Sequence, residues 1–151
     1  MAGGNGATVQ ERRYGSKDLI SKLTEERAEV LVLYCRLAGV EPYYDKPSRQ
    51  TMQPMLQQMC QILVDYLAIG HFSLYERIIN GNERRKHVRE LANNLYPSIA
   101  KTTEVALDFN DKYDCEDHCE ITSDFDTDLS RLGEALATRI EMEDQLIQAM
   151  Y

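Results

Sequence analysis

The stretch ERRKHVRELANNLYPSIAKTTEVALDFNDKY, residues 83–113, decides how this chain folds. Its apolar and small side chains fall at Val88, Leu91, Leu95, Ile99, Thr102, Ala106, Phe109 and Tyr113, in steps of three and four residues. Steps of that size return to one face of an α-helix at every turn, whereas a strand would scatter them over both of its faces. Pro97 lies inside the stripe and removes one backbone N–H, so it predicts a kink within a continuing helix.

Three more segments carry the same period, and alternating strand pattern is almost absent. One runs from Ser16, a side chain suited to an N-cap, through Leu19/Ile20, Leu23, Val30/Leu31, Tyr34 and Leu37/Ala38 to a stop at Gly39. Residues 41–47 hold two prolines and read as a connection. The next helix begins near Ser48 and continues through Met52, Met55/Leu56, Met59/Cys60, Leu63 and Leu67. Gly70 interrupts that pattern before Phe72, Tyr75, Ile78 and Ile79 resume it, and Asn80-Gly81-Asn82 supplies a turn. The last helix opens at Ser123 with Asp124, Asp126 and Asp128 in its first turn, where negative charge suits the helix dipole. Its stripe is Phe125, Leu129, Leu132, Leu136, Ile140 and Ile147. Helices with one apolar face each cannot bury it alone. The sequence therefore predicts an all-α fold, an antiparallel four-helix bundle with a bent or broken second helix. Residues 1–14 read as a flexible N-terminal lead-in and 15–151 as a single helical-bundle domain.

Composition narrows the function. The chain has 151 residues, 43% of them hydrophobic, enough for one substantial core. It has no apolar run of membrane-spanning length, and its glycine-rich start lacks the pattern of a secretory signal, which points to the cytoplasm. The formal net charge of −8 argues against direct nucleic-acid binding; such a surface can attract a basic partner, and keeping the protein soluble is the plainer reading. Four cysteines, Cys35, Cys60, Cys115 and Cys119, are expected to be free thiols in that compartment.

Catalytic signatures are missing: no nucleophile elbow, no phosphate-cradling glycine loop, no dinucleotide fingerprint. Di-iron bundles use Glu-x-x-His pairs, and this sequence has none. The cluster Asp114-Cys115-Glu116-Asp117-His118-Cys119-Glu120 could bring Cys115, His118 and Cys119 to one metal or redox site, although its spacing matches no common zinc module. A solvated interhelical turn is the plainer reading. Asp124-x-Asp126-x-Asp128 lacks the glycine and the glutamate of a calcium loop.

The most informative stretch is LVDYLAIGHFSLYERI, residues 63–78, which sets an acid, a histidine and three aromatics around a helix break. At helical spacing aromatics are commonly core, but a glycine-broken helix also lets polar side chains stand outward at a fixed spot, as a binding surface requires. This stretch closely resembles the signature of the regulator-of-sigma-D family, the Rsd and AlgQ proteins, in which Leu-Val-Asp-Tyr leads to Gly-His-Phe and then Tyr-Glu. A second likeness lies in Leu132-Gly133-Glu134-Ala135-Leu136-Ala137-Thr138-Arg139-Ile140, followed by Glu143-Asp144 and Leu146-Ile147. Weaker agreement covers residues 27–39 and the Tyr96-Pro97 pair.

The resemblance implies an all-α anti-sigma module without catalysis or cofactor. Its partner would be region 4 of the primary, sigma-70 type, RNA polymerase sigma factor, a basic helix-turn-helix. Capture there would lower use of that factor in favour of alternative ones. Carried onto this chain, the resemblance makes Asp65 the leading contact, with His71, Phe72, Tyr75 and Glu76 beside it and Arg27 on the first helix. Where the family often has Asp-Arg-Trp-Leu on that helix, this chain has Ser21-Lys22-Leu23-Thr24, and its acidic segment 111–128 has no counterpart in the family pattern. The competing readings are a metal-binding or redox-sensing bundle built on Cys115, His118 and Cys119, and a bundle that tunes another enzyme through its acidic face.

Overall fold

Each stripe read from the sequence is a helix in the computed structural model, which describes residues 9–40, 45–79, 83–114 and 123–150. In chain order these are α1 (Val9–Ala38), α2 (Arg49–Gly70), a π turn (His71–Tyr75), α3 (Glu76–Ile79), α4 (Lys86–Tyr113) and α5 (Phe125–Met150). The segment from α2 through α3 is one continuous rod, so the described residues form four rods. Three earlier readings lie outside the described residues: the extreme N-terminus, the Asn80–Asn82 turn, and the Cys115, His118 and Cys119 cluster.

Local chemistry explains the ends. Gly39 has φ 69°, a left-handed conformation that glycine adopts at little cost, and its N–H reaches the Cys35 carbonyl at 3.0 Å. Ser48 caps α2 by accepting the Thr51 N–H on its hydroxyl. α1 starts earlier than Ser16 suggested: Gln10, Glu11, Arg12 and Arg13 are good helix formers, and Gly15, though a weak one, lies within the helix without ending it. At α5 the cap is one residue later than read, since the Asp124 carbonyl accepts the Asp128 N–H at 2.9 Å. Pro97 is absorbed within α4 without ending it.

Cross-links fix the topology. Arg27 meets Asp144 while Tyr34 meets Leu129, so α1 and α5 run in opposite directions. Arg139 meets Thr103 while Lys112 meets Asp128, so α4 and α5 do too. The Leu23 side chain sits against Gly70, while the Glu26 carboxylate feels that of Asp65, which sets α1 against α2. The result is an up-down-up-down bundle in which α1 packs mainly on α2 and α4 mainly on α5. Leu23, Val30, Leu56, Met59, Leu63, Val88, Leu132 and Leu146 fill its centre with essentially no exposure. At one end the buried Glu83 carboxylate accepts Arg85 N–H groups, and the Arg85 guanidinium also donates to the Met150 carbonyl, joining the start of α4 to the end of α5. At the other, Lys112 and Tyr113 both donate to Asp128, which holds that carboxyl below its ordinary range.

The α1–α5 seam depends on one small residue. A Cβ at Gly133 would fall 2.1 Å from the Tyr34 hydroxyl oxygen, which donates to the Leu129 carbonyl at 2.9 Å. Gly133→Ala should destabilise the bundle by roughly 1–3 kcal/mol in urea denaturation, the usual cost of overpacking. The cost should shrink in a Tyr34→Ala background, where the clash is gone; strictly additive effects would contradict this packing.

Candidate partner-binding face

The site is built from the inside out, around a carboxylate. Glu143 on α5 is fully buried, and so, with 2% of its surface exposed, is Arg139 one turn earlier. Arg139 Nε donates to Glu143 Oε2 at 3.1 Å, and its Nη1 donates to the Thr103 and Thr102 hydroxyls of α4 at 2.7 and 3.3 Å. The Tyr66 hydroxyl of α2 donates to Glu143 Oε1 at 2.7 Å, and the Tyr75 hydroxyl approaches Oε2 at 3.5 Å. From α1, Arg27 Nη1 reaches Glu143 Oε1 at 3.4 Å and Asp144 Oδ1 at 3.0 Å. Every long helix therefore sends a group to this network, directly or through Arg139.

Burial sets its electrostatics. Desolvation, followed by the Glu143 negative charge, pushes the Tyr66 and Tyr75 phenols well above their ordinary range, with Arg139 opposing; both stay protonated donors. Burial also works against the charge on Arg27, but Asp144 and Glu143 outweigh it and raise its pKa further. Taking such groups out of water is expensive, and the arrangement survives because nearly every lone pair is met by a donor.

Above the network the rod changes register. In the π turn the Glu76 N–H reaches back five residues to the His71 carbonyl, while the Ser73 hydroxyl donates to the Ile69 carbonyl at 2.6 Å. His71 and Phe72 face solvent, with Phe72 63% exposed, whereas Ser73, Leu74 and Tyr75 are all buried. The two outward rings meet edge to face at 5.2 Å. Asp65, Val64 and Ala68 are exposed on the preceding turns, so acid, apolar surface and aromatic surface lie along one side of the rod. Across the seam, the Glu26 pKa is raised from 4.5, first by desolvation and then by the Asp65 charge. Glu26 Oε2 is out of contact with solvent and has no hydrogen-bond partner among the described residues.

The six residues singled out in the sequence thus fall into two groups. Asp65, His71 and Phe72 share the outward face, with Glu76 half-buried at the end of the π turn. Tyr75 lies inside, and Arg27 is half-buried in its ion pairs with Asp144 and Glu143. Sequence reasoning missed Glu26, Arg139 and Glu143 as site residues. The signal for the last two was present: the buried face of α5 runs Leu132, Leu136, Arg139, Glu143, Leu146, Met150, in unbroken steps of three and four. Among the described residues no group of three or more His, Cys, Asp or Glu is placed to hold a metal ion. Burial pushes the Cys60 thiol up to about 12, too high for a reactive thiolate. No helix among the described residues is long and apolar enough to cross a membrane.

The fold and the face define a helical bundle of apolar core in which one buried polar network underlies an acidic and aromatic outer surface. Comparison with known proteins makes this specific. The chain belongs to the Rsd/AlgQ family, described as regulator of RNA polymerase sigma(70) subunit, whose model matches residues 4–151. It is 36% identical over 143 residues to the regulator of sigma D of Yersinia enterocolitica, covering 93% of this chain and 85% of that protein. The Yersinia pestis protein of the same name is 36% identical over 146 residues (93% and 84%), and that of Salmonella typhi 35% over 150 (95% and 88%). No solved structure matches the chain.

The network makes a sharp stability prediction. Arg139→Met removes the cation and leaves Glu143 buried with its charge less well met, so unfolding free energy should fall by about 3–5 kcal/mol. A loss under about 1 kcal/mol by urea denaturation would mean that Glu143 is not held as a buried anion.

Proposed function

We propose that this protein is an anti-sigma factor: it binds region 4 of the primary, sigma-70 type sigma factor and lowers its use in transcription, favouring alternative factors. In this reading it acts in the cytoplasm as one helical-bundle domain, without catalysis or cofactor. One observation carries the proposal. Asp65, His71 and Phe72 stand outward together beside exposed Val64, on a chain of net charge −8. Adjoining exposed apolar groups mark interaction surfaces better than single ones do, and an exposed ring next to a carboxylate offers what a basic helix needs: an apolar anchor and a counter-charge. Region 4 is a basic helix-turn-helix, and covering it would hide the surface that reads DNA and docks on polymerase.

Asp65 and Phe72 are the central contacts in this reading. Asp65→Ala and Phe72→Ala should each weaken binding to purified region 4 by more than about 1 kcal/mol while leaving helicity intact. Titration calorimetry at two salt concentrations checks this, and binding should weaken as salt rises. Unchanged affinity in both variants would remove this face from the interface.

Glu26 adds a pH signature. Its raised pKa means that the ionised form is disfavoured in the free protein, a contribution to stability present at low pH and lost as pH rises through that pKa. A partner cation beside Asp65 and Glu26 would favour the ionised form, so binding should release a proton and tighten as pH rises through the Glu26 pKa. Calorimetry in buffers of different ionisation enthalpy should detect the release, and Glu26→Gln should abolish it. A release that persists in Glu26→Gln would place the proton elsewhere.

A further inference from the structure

The π turn is the least expected piece of backbone in the molecule, and it lies between the buried network and the outward face. Tyr66, Gly70 and Tyr75 succeed one another in steps of four and five residues. In an uninterrupted α-helix, a step of five would carry Tyr75 about 140° around the rod from Gly70, away from the network. The additional residue accommodated by the π turn returns it to that side.

The contacts that reward this register are specific. The Arg139 guanidinium carbon lies 5.5 Å from the ring centres of both Tyr66 and Tyr75. Gly70 leaves the space it needs, since a Cβ there would come within 3.1 Å of Arg139 Nη2 and 3.5 Å of Glu143 Oε2. Glu143 accepts from one phenol and is approached by the other. A buried ion pair of this kind seldom adds net stability over a well-packed apolar substitute, but it can select one arrangement among several.

We propose that Arg139 and Glu143 are positioning residues for the outward face: through Tyr66, Gly70 and Tyr75 they hold residues 71–75 in the π register, and that register sets where His71 and Phe72 project. The link from register to partner binding rests on the function proposed above, whereas the link from network to register does not. A slip to α-helical register would turn the segment beyond Gly70 by about 100° relative to α2. Either Phe72 would then leave its place beside Asp65, or Leu74 and Tyr75 would leave the core.

The chain contains no tryptophan, so F72W makes position 72 a single fluorescent reporter. In that background the triple change R139M/E143M/Y66F removes both charges together with the phenol that Glu143 accepts, leaving no new unmatched charge between them. Helical circular dichroism and the melting temperature verify that the variant folds. Iodide quenching of the reporter should change at least twofold, and hydrogen exchange of the 71–76 amides should quicken at least tenfold. With Phe72 restored, affinity for purified sigma region 4 should fall at least tenfold.

If the triple variant does not fold, G70A carries the test. It crowds the guanidinium from the opposite side without removing a charge, and the same changes are expected in smaller measure. Unaltered quenching and exchange in a folded variant would overturn the inference. Altered quenching and exchange with undiminished affinity would uphold the register device and count against the outward face as the sigma-binding surface.

Discussion

A single carboxylate with no access to water ties this bundle together. Glu143 is met by Arg27 from α1, Tyr66 from α2, Tyr75 from the π turn and Arg139 from its own helix, and Arg139 carries the link on to α4. An apolar core tolerates many packings of similar energy, but a buried anion accepts only those that bring its donors within reach. The apolar residues around it supply the driving force for collapse. The network decides which collapsed arrangement is allowed, because each partner that drifts away leaves a polar group dehydrated and unmet.

That division of labour explains how a small bundle can display an aromatic ring on its surface. Phe72 would lower its free energy by turning inward, and nothing in the outward patch itself forbids it. The restraint comes from beneath, where Ser73, Leu74 and Tyr75 are all committed to the interior. On the outside, Asp65 and Glu26 face each other across the α1–α2 seam, and their mutual repulsion is left partly uncompensated. On the function proposed above, a partner cation placed there would relieve that repulsion.

Much of the fold was legible in the sequence. The four stripes, the stop at Gly39 and the irregularity after Gly70 all reflect local rules of periodicity and backbone freedom, which act the same way wherever the chain folds. The likeness to sigma regulators also rested on short local strings. What stayed hidden depended on distant partners. Arg139 and Glu143 sit on the buried stripe of α5, yet a charged residue is ordinarily solvated, so the apolar reading runs through Ile140 and Ile147 in their place; both are only partly buried, Ile147 packing at the core's margin. Only with α1, α2, α4 and the π turn packed alongside are both charges fully met. The π turn stayed hidden for a related reason: a glycine signals that the helix is irregular, but not that a fifth residue is taken up in the following turn, which leaves Phe72 outside and Tyr75 within. Glu26 was hidden because its raised pKa comes first from desolvation and then from Asp65 on another helix, neither of which the α1 sequence displays.

In the proposed function the partner lands on the face held up by this network. Chemical-shift mapping of the 15N-labelled protein during titration with unlabelled sigma region 4 tests it most directly. The predicted result is a contiguous set of perturbed amides at residues 61–73 on the rod and around Glu26 on α1, with smaller changes reaching 139–144 through the network. Perturbations confined to the exposed faces of α4 and α5, with residues 61–73 unmoved, would contradict it.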